Sequence, residues 1–265
     1  GKIDEITHLS FAYNTKYFKK GKKWFKQVTR TYQQPDLGYK LCQVLDKIPQ
    51  LAFIPALLQP AYGLGALAFF FLTEKTYQPP GKDNFMISYD SYADRNYGAD
   101  TYIRIADVFN NPNRSLLEFD ISDIPADATF TQGDLQLYYY FYENTNPVNK
   151  TTWAYKLTRT DWVENQATWN SYKTGSNWTS AGGDYVTSNP AGGNTTFPSS
   201  YGWMTWDIQA IIEDAYDNSN DVEILVKFDN ESISIEASSY CYFYSKEYTG
   251  DTSKRPKLTV TYTVP

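Results

Sequence analysis

The 265 residues hold one histidine, His8, and two cysteines, Cys42 and Cys241. Without a second histidine, no Ser–His or Cys–His nucleophile pair can be assembled within residues 81–265. Zinc sites built from His and Cys are excluded by count. No CxxC pair or disulfide framework exists, and both thiols read as buried. Basic charge is also scarce where it would matter. Residues 1–80 carry about +6 and residues 81–265 about −12. The acidic part therefore lacks the clustered Lys and Arg that nucleic-acid phosphates need. A signal-peptide pattern is missing too, and the chain opens at Gly1, so it reads as mature, tagged or part of something longer.

What is plentiful is aromatic: 24 Tyr, 15 Phe and 7 Trp. Such rings favour pleated, half-buried surfaces. From residue 82 onward short apolar or alternating runs predict strands at 102–105, 115–119, 135–141, 222–228, 232–237, 240–244 and 257–262. Turn groups at 111–113 and 123–127 separate some of them. One helix is expected at 207–216, capped by Asp207, with Ile208, Ile211 and Ile212 as its buried stripe. The expected fold is mainly β, an antiparallel β-sandwich of jelly-roll type, with a smaller mixed N-terminal segment.

Residues 1–80 read as a separate docking or assembly segment. The run 16–26 (KYFKKGKKWFK) is a solvated basic face or a contact for an acidic partner or phospholipid headgroups. His8 lies in THLSFA, which reads as a strand. Residues 38–48 carry Leu41, Val44, Leu45 and Ile48 at helical spacing. Residues 51–72 are the most apolar stretch. Their length would span a bilayer, but Pro55, Pro60, Gly63 and Gly65 interrupt the helix pattern. A buried segment or subunit interface is the expectation, with Phe53, Leu57, Leu58, Phe69, Phe70 and Phe71 as contact residues to copies of the chain or to other structural subunits. The prolines of YQPPG (77–81) then read as a linker.

The stretch 161–184, DWVENQATWNSYKTGSNWTSAGGD, sets Trp162, Trp169 and Trp178 among turn formers. It either pins a long loop onto a sheet or presents rings to a sugar. Two carboxylate pairs near each other in sequence, Asp161/Glu164 and Glu213/Asp214, read as solvated acids or helix-end charges rather than a hydrolytic pair, and the chain is read as non-enzymatic.

Ordered pieces from about residue 83 to the end carry a resemblance. They are Tyr97-Gly98; Arg114, Leu116, Leu117, Phe119 and Asp120 followed by Ile124-Pro125; Leu135, Leu137 and Tyr138; WVENQATWN from Trp162 to Asn170; Trp178 and Gly182-Gly183-Asp184; Asp207; and Arg255-Pro256-Lys257-Leu258-Thr259-Val260. This set resembles the DNRLRE-type module, which is similar to carbohydrate-binding module family 96 and the disaggregatase-related repeat. The resemblance implies a jelly-roll sandwich, an extracellular accessory role, in some members binding of acidic polysaccharides, and no catalysis. It makes Trp162 and Trp169 structural. More weakly, residues 1–18 resemble the closing strand of a laminin-G or concanavalin-like domain.

Two ligand sets follow from residue chemistry. Asp90, Asp94, Asn96 and Asp100 supply clustered oxygens for a structural Ca²⁺, or a turn held by side-chain hydrogen bonds. Trp153, Trp178, Trp203 and Trp206 are candidates for stacking on sugars, with polar neighbours for the hydroxyls. Asn113, Asn149, Asn177, Asn194 and Asn230 head N-x-S/T sequons. The expected function is a structural protein of a virion, fibre or cell-surface assembly. The alternative is a glycan-binding module that attaches a particle or enzyme to polysaccharide.

Overall fold

The computed structural model describes residues 13–20, 23–30, 71–188 and 192–264, and the chain divides into two units near residue 72. In the first unit, β1 (Tyr13–Lys20) and β2 (Lys23–Arg30) pair as antiparallel strands, Lys16 opposite Gln27 and Lys20 opposite Lys23. The basic run thus spans the end of β1 and the first half of β2. His8, Cys42, the helix expected at 38–48, the resemblance at 1–12, and Phe53, Leu57, Leu58, Phe69 and Phe70 lie outside the described residues. No helix among the described residues is long and apolar enough to cross a membrane.

The second unit is a β-sandwich made by one curled sheet of eleven strands. One layer comprises β4 (Lys82–Ile87), β6 (Asn113–Phe119), β8 (Thr151–Lys156), β11 (Asn194–Thr196) and β13 (Val222–Phe228). The other comprises β3 (Phe71–Tyr77), β5 (Tyr102–Ala106), β7 (Thr129–Asn144), β12 (Gly202–Asp207), β14 (Ser239–Tyr244) and β15 (Lys257–Val264). The layers meet where β5 touches β6 through the single pair Ala106–Asn113. Two short strands, β9 (Ser171–Lys173) and β10 (Ser176–Asn177), stand apart.

Alternation explains the packing. In β7, Leu135, Leu137 and Tyr139 turn inward while Gln136, Tyr138 and Tyr140 stay half-exposed. Its pairing with β14 slips at Tyr242/Phe243, which leaves Tyr140 as the extra residue of a bulge. Phe85, Leu117, Ile224 and Val226 from one layer meet Ile103, Leu135, Phe243 and Leu258 from the other in one core. Each such burial is worth roughly 1.5–3 kcal/mol. Helix α1 (Gln209–Asp217) adds Ile211 and Ile212, with Ile208 buried just before it. It starts two residues later than expected because Asp207 ends β12, yet the Asp207 carboxylate still accepts the Gln209 amide at 3.1 Å.

The strand expected at 232–237 is corrected. Ile233 makes an isolated parallel bridge to Val108, and Ile235–Ala237 forms a 3-10 turn. Its apolar Ile235 is 62% exposed, so that alternation has no layer to pack against.

β13 is buried at all seven positions, which a strand of an outer layer cannot achieve unless something covers its far face. The cover is the segment 161–185, here termed the strap. It buries Trp162, Ala167 and Trp178 against Met86, Leu116, Leu157 and Leu225. At its start, Trp162 is 1% exposed and its indole donates to Glu223 at 2.5 Å. Lys82 sits 4.9 Å over the Trp162 ring and pairs with Glu118, the cross-strand neighbour of Glu223. Asn84 and Asn96 both donate to the Glu164 and Ala167 carbonyls. Near its end the strap carries Gly182 and Gly183, both at positive φ. A Cβ there would come within 2.6 Å of Trp169 and of Leu225, respectively.

Burial, together with the nearby Glu118, pushes the Glu223 carboxyl up to about 9. An unfolded glutamate loses its proton near pH 4.5, so between these values folding takes up a proton and stability falls as pH rises. Glu223→Gln keeps an acceptor for Trp162 and has nothing to protonate. Its stability is expected to exceed that of the parent by about 2 kcal/mol near neutral pH, the gain vanishing toward about pH 4.5. Urea denaturation across that window reads it; parallel pH profiles would contradict the assignment.

Candidate functional site

Where the strap stops, the outer face of the β4–β6–β13–β8 layer is open. β8 alternates, so Ala154 points into the core while Trp153 and Tyr155 stand outward, half-exposed. Their rings lie 5.6 Å apart and 15° from parallel. The Trp153 indole donates to Asp229 at 3.0 Å. Tyr185, just past the strap glycines, continues the row 5.1 Å from Tyr155.

Beside this row lies an open depression of about 640 Å³ between Arg114, Thr158, Arg159 and the strap residues Thr179–Tyr185. Arg114, from β6, forms one side. Its guanidinium grips Glu231 through two bonds of 2.9 and 2.7 Å and donates to the Gly182 carbonyl at 2.9 Å. It also stands 4.9 Å over Trp169 and 5.4 Å over Tyr185. Lys227 supports the same corner, 3.3 Å from Glu231, and burial lowers its pKa. The Asp184 carboxylate is turned into the strap, accepting the Thr179 and Ser180 amides at 3.0 and 2.8 Å.

Arg159 differs from these. Its side chain is 37% exposed, and the nearest carboxylates, Asp161 and Asp184, are 3.7 and 3.9 Å away. At those distances the bonds are weak. Its guanidinium lies 4.5 Å over Tyr172. The depression therefore offers an available cation, a row of rings and several hydroxyl and backbone groups. No histidine in residues 81–265 is present to activate its hydroxyls as nucleophiles, and the acids paired in sequence are each engaged elsewhere. Asp161 is taken by Lys173 at 2.6 Å, Glu164 by Lys246 at 3.0 Å, Glu213 by Gln209 at 2.8 Å, and Asp214 by Lys156.

The four tryptophans expected to meet a sugar part company. Trp206 is fully buried, its indole bonded to Thr152 at 3.0 Å. Trp178 is 5% exposed beneath the strap, donating to the Thr168 carbonyl at 2.8 Å. Burial removes both from contact with any ligand. Trp153 stands at the far end of the ring row whose last member, Tyr185, lines the depression, and Trp203 lies on the outer face of the other layer.

The loop expected to hold Ca²⁺ fastens the strap. Asp94 accepts from Asn170 at 2.8 Å, Asn96 donates to two strap carbonyls, and the Asn96 oxygen accepts the Gly98 amide. Asp90 opens a 3-10 turn, and the Asp100 carbonyl accepts from Ser245. Among the described residues, the acids whose oxygens converge are instead Asp83, Glu164 and Glu247, within 4.8 Å of one another. Lys246 is already there, 3.0 Å from Glu164 and 3.1 Å from Glu247. Desolvation, then the nearby Glu247, raises the Asp83 carboxyl well above its usual range. Of the sequons, Asn113 is fully buried, whereas Asn149, Asn177, Asn194 and Asn230 are exposed.

Arg114, Tyr155, Arg159 and Tyr185 were not singled out from sequence as binding residues. The alternation in TTWAYK could have paired Tyr155 with Trp153; nothing local marks Arg159. The profile of carbohydrate-binding module family 96 matches residues 74–262. No curated protein matches the chain.

Proposed function

Because the chain belongs to carbohydrate-binding module family 96, we propose that its sandwich, residues 73–264, holds an acidic polysaccharide along the depression beside the strap. The observation that carries this reading is Arg159, a half-exposed guanidinium whose two acids stand beyond hydrogen-bond distance, lining the depression together with Tyr185, the last ring of the Trp153–Tyr155–Tyr185 row. Guanidinium groups pair with carboxylates through two parallel bonds. Rings standing on a strand give sugar C–H faces something to pack on. The charge of about −12 on residues 81–265 disfavours polyanions at long range, but screening limits that field to about 10 Å at 0.1 M salt, so the local guanidinium governs contact.

The role is attachment rather than turnover: the module brings whatever it belongs to onto polysaccharide outside the cell. This takes precedence over the surface-assembly reading because the family match covers the sandwich.

The test is titration calorimetry of the full chain against a polyuronate and a neutral glucan. Tight binding of the polyuronate alone, weakening with salt, is expected. Trp153→Ala and Arg159→Glu should each cost about tenfold or more in affinity, the size of one charge-assisted bond or one lost ring contact. Both sites are at least partly exposed, so melting temperatures should hardly move. Unchanged affinity in both variants, or equal binding of the neutral glucan, would refute the reading.

A further inference from the structure

Trp153 and Trp203 stand on opposite outer faces of the sandwich. Along β12, Met204 and Trp206 are buried in the core, while Trp203 and Thr205 turn away from it. The surroundings of Trp203 suit a sugar. Lys257 from β15 sits 4.2 Å over its ring. Tyr138 from β7 meets it edge-to-face at 5.4 Å, and Lys254 sits 5.0 Å over Tyr138. Gln136 contacts Thr205 at 3.4 Å and Thr259 at 3.3 Å, adding amide and hydroxyl groups beside the rings.

The neighbouring tyrosines are less suited. Tyr140, Tyr244 and Tyr248 stack on one another at 4.2 and 3.7 Å, so Tyr244 is covered on both faces. Lys254 has Asp251 at 3.3 Å. Lys257 has no acid within ion-pair distance among the described residues, and its ammonium rests on the indole instead.

We infer that the Trp203–Lys257 face is a second polysaccharide-binding site, so that one sandwich can hold two acidic glycan chains, one on each outer face. An ammonium resting on a ring near water is held there only weakly. A carboxylate-bearing sugar draws Lys257 aside into a charge-assisted bond and leaves the indole face for its C–H groups. Lys254 provides a further positive charge beyond Tyr138. The lysines match a polyanion, and the single open ring suits one sugar at a time. The inference rests on the proposed taste for acidic polysaccharide but not on the Arg159 depression itself.

Calorimetry of the full chain with oligogalacturonate and oligomannuronate of about six sugars tests it. Two oligomers per chain are expected for at least one of the two. Trp203→Ala and Lys257→Glu should each reduce this to one, and Trp153→Ala with Arg159→Glu should also reduce it to one. All four substitutions together should abolish binding. Lys257→Glu leaves the indole in place, so it remains informative if Trp203→Ala folds poorly. One oligomer per chain, lost with Trp153 and Arg159 and untouched by Lys257→Glu, overturns this inference and leaves the depression intact. One oligomer per chain lost with Lys257 and untouched by Arg159→Glu overturns the depression as the site and keeps the Trp203 face. No binding of either oligomer overturns both.

Discussion

Trp162→Ala is expected to lower stability by about 3–5 kcal/mol, the range for removing a large buried side chain. Trp162 is 1% exposed and carries the start of the strap. Its loss removes packing against the outer face of β6 and β13 and the bond to Glu223. It also exposes the Lys82–Glu118–Glu223 group to water. Trp162→Phe keeps most of the ring and loses only the donor, so about 1–2 kcal/mol is expected. Guanidinium denaturation gives both numbers. Limited proteolysis supplies a second readout: cleavage within 161–185 should appear in Trp162→Ala under native conditions, before global unfolding. A loss below about 1 kcal/mol with an uncut strap would mean that the Asn84 and Asn96 bonds to the Glu164 and Ala167 carbonyls hold it unaided.

The strap also explains which parts of the chain were legible in its sequence. β13 was readable to the residue, because VEILVKF is long and apolar enough to mark a strand. The same all-buried character concealed the second layer of packing, since nothing in VEILVKF says what covers Glu223, Leu225 and Lys227. β5, β6, β7, β14 and β15 were legible from alternation or apolar bulk, although β7 proved far longer than 135–141. β4, β8 and β12 were not, because KDNFMI, TTWAYK and GWMTWD mix polar side chains into strand positions. Asp83 and Asn84 are buried there as partners of the loops above them, a role that only the tertiary fold assigns. The missed β12 had a consequence for the site. Its period of two alone separates outward Trp203 from inward Trp206, whereas four tryptophans counted by residue type looked equivalent. The reading of Trp162 as structural came from resemblance, and the geometry supplies its reason. Arg159 remained unreadable because its place depends on how loosely Asp161 and Asp184 hold it, and the length of an ion pair leaves no mark in a sequence.

Arg114→Ala is expected to damage stability and binding together, which separates it from Arg159→Glu. The Arg114 side chain is 13% exposed, as is that of Glu231. Its guanidinium ties β6 to Glu231, to the Gly182 carbonyl and to the rings of Trp169 and Tyr185. Truncation leaves a largely buried carboxylate with only Lys227, at 3.3 Å, to answer it. A cost of about 2–4 kcal/mol follows, below that of a fully buried pair because Lys227 remains. The Gly182–Tyr185 wall loses its tie at the same time, so polyuronate affinity should fall by about tenfold or more even where the protein is still folded. Arg114→Lys restores the charge but not the planar fork that reaches both Glu231 oxygens and a carbonyl. It should recover part of the stability and little of the affinity. The decisive comparison is affinity measured well below each variant's melting temperature. If Arg114→Ala binds as the parent does once folded, the wall needs no tie from β6 and Tyr185 is set by the strap glycines alone. If its affinity falls while Arg159→Glu loses affinity without losing stability, the depression divides into a positioning residue beneath the strap and a contacting residue at its edge.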